Sequence, residues 1–177
     1  MSQVNKLNQV NSKLGANMMG QQTTRYVYDS VTTTVGQTYF EFFKNFANKT
    51  EFQTNLTTNK LDSSESMVIK SIFCAGNIAP GLSGHSNLNI IVGNQVVLKD
   101  FNLAFNSTNR GVSYERIHAA NSDDDIVEIR LLTDIIIPPQ VNFSATLELA
   151  ENTTLAAQNL TLGFKGYGVI FSAGTTF

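Results

Sequence analysis

The chain has 177 residues, enough for one domain with a substantial core and short for two. Charged residues make up only 15% and the formal net charge is -2, which gives no basis for nucleic-acid reading as the main role. No run approaches the ~20 apolar residues of a membrane-crossing helix, and the single cysteine, Cys74, excludes an intrachain disulfide.

The charge deficit is filled by Asn, Thr, Gln and Ser. Such a surface is wet yet can lie against neighbours without repulsion, so self-association is expected. The N-terminus is polar and lacks the apolar core of a secretory signal, which predicts synthesis in cytoplasm. On that basis the Asn-x-Ser/Thr triplets at Asn48, Asn55, Asn106, Asn142, Asn152 and Asn159 read as products of composition, not glycosylation sites.

Residues 1–22 read as an arm apart from the domain at 23–177. Val4, Leu7, Val10, Leu14 and Met18 recur at spacings of three and four, which places them on one side of a helix. Abundant Asn and Gly15 make that helix weak alone. Lys6, Lys13 and Arg25 are unopposed by any acid before Asp29. The segment is either a free tail or an arm that orders on a neighbouring subunit, an anionic lipid surface or nucleic acid.

From Thr23 the character is β. Residues 25–28 and 31–35 are rich in β-branched and aromatic types, and Gly36 punctuates. Residues 39–46 are the most aromatic window and are expected to form a strand whose rings pack in a core. A long polar loop, 48–66, leads to a strand at 67–73 in which Cys74 follows as a buried thiol. Apolar runs on either side of Gly93-Asn94 predict a β-hairpin. Short strands follow at 101–105 and 113–118, then a long one at 125–137 stopped by Pro138-Pro139.

The last third carries the clearest signal. Val141, Phe143, Ala145, Leu147 and Leu149 alternate with polar residues, and Leu160, Leu162 and Phe164 resume the pattern after a polar break. These two strands are expected to meet through a short turn and to be covered by a second sheet supplied from upstream. About eight to ten strands without a repeat period give an all-β, two-sheet antiparallel sandwich of jelly-roll type.

Residues for chemistry are sparse. His85 and His118 belong to no set with metal-ligand spacing. Asp123-Asp124-Asp125 lacks the alternating ligands and glycine of a calcium loop and reads as a solvated turn. The glycines of residues 163–168 lack phosphate-loop spacing and suit close backbone approach in a strand. No nucleophile elbow or acid/base set is present, so no catalytic residue, cofactor or metal is expected.

The order of these features resembles small jelly-roll capsid proteins of tailless icosahedral bacteriophages. The residues that carry the resemblance are the 55–61 loop, the 66–73 strand, the 87–98 hairpin, Ile135-Ile136-Ile137-Pro138-Pro139 before 141–149, and the closing 160–171 strand with Gly166-Tyr167-Gly168. The resemblance covers roughly 24–177 and implies a penton, minor capsid or single jelly-roll shell subunit. Its expected partners are copies of itself and other capsid proteins, with the arm directed at neighbours, an internal membrane or the genome. It implies location in the virion and no enzymatic activity. The alternative is a spike or tail-associated sandwich that binds host glycans through loop residues around Tyr114 or Asp123.

Overall fold

The computed structural model describes residues 20–76, 86–103, 114–118, 125–150 and 159–171. They form nine strands: β1 (Gly20–Thr32), β2 (Tyr39–Phe42), β3 (Glu65–Gly76), β4 (Ser86–Val92), β5 (Gln95–Asn102), β6 (Tyr114–His118), β7 (Asp125–Ile137), β8 (Phe143–Leu149) and β9 (Asn159–Phe171). A five-stranded sheet runs β1-β9-β3-β7-β6 and a four-stranded sheet runs β2-β8-β4-β5. Every pairing is antiparallel. The pairing is nested: β1 lies on β9, β2 on β8, β3 on β7 and β4 on β5, with successive pairs alternating between the sheets. β6 is added outside this scheme, along the first half of β7.

Alternation in the sequence becomes burial in the fold. Phe143, Ala145, Leu147 and Leu149 of β8 face Leu160, Leu162 and Phe164 of β9 across one continuous core. The expectation that these two strands pair through a short turn is therefore corrected. β8 sits between β2 and β4, whereas β9 sits between β1 and β3 in the other sheet. Paired as a hairpin, both apolar stripes would lie on one face; placed in opposite sheets, each stripe covers the other.

Three further boundaries differ. Pairing of β1 starts at Gly20, opposite Phe171, inside the segment read as the arm. The aromatic strand stops at Phe42 because Phe43 takes φ 58°, a left-handed conformation that is costly for a bulky side chain. Two contacts hold it there. The buried Asp29 carboxylate accepts the Phe43 backbone N–H at 2.7 Å, and the Phe43 ring packs 4.9 Å from Phe164 and 5.2 Å from Phe143. Phe101 belongs to β5, so the separate strand expected at 101–105 is not formed through its first residues. The hairpin at Gly93-Asn94 forms as expected, with Val92 opposite Gln95.

The loop between β2 and β3 is long but tied down. Lys49 pairs with Asp29 at 2.6 Å, and Leu56 and Leu61 plug into the core. The same loop closes the free edge of β1. Asn55 accepts the Tyr28 N–H and donates to the Tyr26 carbonyl, and Ser30 N–H donates to the Gln53 carbonyl. The Asn55 amide is thus engaged with the edge backbone.

Candidate functional site

Of the cysteine, histidine and aspartate positions singled out for chemistry, Cys74 alone has a described side chain. Cys74 is fully buried in β3, and burial pushes its thiol up to about 12, the state of an inert core residue. His118 and Asp125 stand opposite each other as backbone partners at the ends of β6 and β7. His85, Asp123, Asp124 and the arm residues Val4, Leu7, Val10, Leu14 and Met18 lie outside the described residues. Among the described residues no group of three or more His, Cys, Asp or Glu side chains could hold a metal ion.

The glycines of β9 do what their spacing implied. A Cβ on Gly166 would stand 1.9 Å from the Val68 carbonyl oxygen, and one on Gly163 would enter the Phe73 ring. Gly166 lies opposite Ile69, where β3 shifts register before Ser71. The close approach lets β9 sit flat in mid-sheet beside this irregularity.

The outward face of the five-stranded sheet is a lattice of paired charges and rings. Lys165 pairs with Glu128 and lies 5.3 Å from the Phe73 ring centre. Ser71 donates to the other Glu128 oxygen at 2.8 Å. Burial pushes the Glu128 carboxyl up, but the Lys165 and Ser71 hydrogen bonds, with the charges of Lys165 and Arg130, outweigh it and hold it below the usual glutamate range. Lys70 pairs with Asp134 and lies 5.5 Å from the Tyr167 ring centre. Arg25 donates to Glu65 at 2.9 Å. With these charges already paired, the face offers contact area more than a free charge.

The two long edges of the sandwich differ. At the β1 edge the 50–55 turn covers the backbone. At the opposite edge, the described residues of β6 pair with β7 as far as Ile129. Beyond it, the β3–β7 register passes from Ile69/Ile135 to Ser71/Arg130, so residues 131–134 stand opposite Lys70 alone. This wide bulge leaves Leu132 75% exposed and opens a groove of about 420 Å³ against β5. Val97, Leu98 and Phe101 line one wall, Leu131 and Ile135 the other, with Arg130 at the rim. Sequence reading did not single out this groove. Its trace in the sequence is the apolar doublet Leu131-Leu132, which does not stand out because Ile126-Val127 and Ile135-Ile136-Ile137 break alternation in the same strand.

No family model matches the chain, and no curated protein matches it significantly. Among solved structures, a chain from the empty head of Turnip Yellow Mosaic Virus is similar over 92% of this chain and 88% of its own, at 9% identity and a TM-score of 0.30. A likeness of that size carries no argument about role.

Proposed function

We propose that this protein is a structural virion component, a jelly-roll subunit of an icosahedral phage capsid in a penton, minor capsid or shell position. The observation that carries the reading is the nested pairing of β1 with β9, β2 with β8, β3 with β7 and β4 with β5 in two facing sheets. That nesting supports a reading as an eight-stranded jelly roll, with β6 as an addition. A surface of paired charges and uncharged polar residues supports repeated contact between like subunits. In this reading the chain works by association, has no catalytic step, and uses residues 1–19 to touch neighbouring shell components. For the glycan-binding alternative, Asp123 and the Tyr114 side chain lie outside the described residues.

The test is assembly. Purified protein at rising concentration, alone and with co-expressed shell proteins, is expected to give rings or shells in negative-stain electron microscopy and matching species in sedimentation velocity. A strict monomer under all those conditions removes the reading.

A further inference from the structure

The two edges of the sandwich carry features that fit each other and cannot meet within one chain. At the β1 edge, Phe52 is 85% exposed, the most exposed large apolar side chain among the described residues. It is not on a loose loop. Gln53 N–H donates to the Thr50 carbonyl at 2.9 Å, closing a turn around it. The Tyr28 hydroxyl donates to the Glu51 carbonyl at 2.6 Å, and the Gln53 carbonyl accepts from Ser30 N–H at 2.7 Å. Phe52 is thus a ring held outward between two anchored neighbours, so little conformational freedom remains to be lost on docking.

At the opposite edge lies the apolar groove between β5 and β7. A cavity of ~150 Å³ lined by apolar side chains is enough to hold benzene, so a groove of about 420 Å³ has room for a phenyl ring. Knob and groove are offset along the strands. Following the register across the sheet, Arg130 shares a row with Ser71, Lys165 and Tyr26. The Phe52 turn is fastened beside Tyr28 and Ser30, two to four residues along the same strand, or about 7–13 Å at ~3.3 Å per residue. Charge is complementary as well. Glu51 next to Phe52 and Arg130 at the groove rim are both exposed, and neither has a salt-bridge partner within 4 Å among the described residues.

We propose that the groove between β5 and β7 receives Phe52 of a second copy of this chain, with Glu51 of that copy facing Arg130. The inference rests on the shell reading above and names its contact. Knob and groove are different surfaces on opposite edges, so the contact is head-to-tail. Each pair keeps one free knob and one free groove, and the series closes into a ring where the rotation permits and otherwise runs on as a filament.

The experiment uses the full chain and four variants: Phe52→Ala, Glu51→Arg, Arg130→Glu and the double Glu51→Arg/Arg130→Glu. Sedimentation velocity gives the concentration at which half the chain is assembled, and thermal melts confirm folding. Phe52→Ala is expected to raise that concentration by about tenfold or more, as for a central aromatic anchor. Each charge reversal raises it, and the double variant restores it towards wild type. Phe52→Cys chains mixed with Val97→Cys chains are expected to form a covalent heterodimer on oxidation; Cys74, fully buried, stays out of the reaction. Wild-type assembly that all four variants reproduce overturns this contact and leaves the shell reading standing. Discrete two-fold dimers as the sole product also overturn it. A wild-type chain that never assembles overturns both.

Discussion

Phe43 is the residue at which sequence propensity and structure part company. Its neighbours favour a strand, yet it turns left-handed so that its ring can reach Phe143 and Phe164. Asp29 makes this tenable by accepting the Phe43 N–H and the Lys49 ammonium from a fully buried position. Asp29→Ala leaves a buried donor and a lysine without partners and is expected to cost about 3–5 kcal/mol. Asp29→Asn should cost less, because its amide oxygen can still accept from Phe43. Urea midpoints of the two variants check the order, and equal losses would remove the proposed role of the N–H contact. Glu128 gives a pH dependence of defined sign. Its folded value lies below the ordinary 4.5, so its contribution is present above that value and is lost as pH falls through the folded one. Between pH 7 and pH 3, wild type should lose more stability than Glu128→Gln; parallel losses would show that the Lys165 pairing contributes nothing to acid sensitivity.

At the scale of elements, what was legible is the face of each strand, and what was not is its partner. Alternation in residues 143–149 and 160–164 marks which side is apolar, but the same stripe is satisfied by a hairpin neighbour or by a strand across the core. The β4–β5 hairpin could be read because its turn is local. Gly93 supplies φ 62° as the first of two loop residues, while Asn94 is not left-handed, the pattern of a type II′ turn. The end of β2 could not be read, since it depends on Asp29 and on the rings of Phe143 and Phe164, far along the chain. The groove was hidden for the same reason: the bulge at 131–134 is a property of the β3–β7 register, and no local signal states how many residues will oppose Lys70. The glycines of β9 stand between these cases, with their permissiveness visible but not what approaches them. Gly166→Ala would place a methyl group against the Val68 carbonyl, a backbone atom that cannot swing away. We expect a loss of roughly 1–3 kcal/mol with separation of β9 from β3 near Ile69, seen as faster amide exchange there. An alanine variant as stable as wild type would mean that the two strands can spread without cost.

For the whole molecule, nesting sets the order in which contacts can form. β4 and β5 are joined by two residues, whereas β1 meets β9 through pairs such as Val27 with Phe164, nearly the full length of the domain apart. The β9 strand lies between β1 and β3, so the five-stranded sheet cannot close until residues 159–171 are in place. Until then Val27, Ile69 and Ile72 lack the Phe164 and Leu162 side of their core. Loop closure over such distances must precede most of the burial that rewards it, which places refolding at the slow end of the two-state range, on the order of milliseconds to seconds or slower. The chain has no Trp, so tyrosine emission or far-ultraviolet circular dichroism is the usable probe. Deleting residues 159–171 should abolish cooperative unfolding altogether, since it removes the partner of β1 and one flank of β3 together. A truncated chain that still melts in one sharp transition, or full-length refolding within microseconds, would mean that the sandwich is held by its local hairpins. Neither fits a sheet that places β9 between β1 and β3.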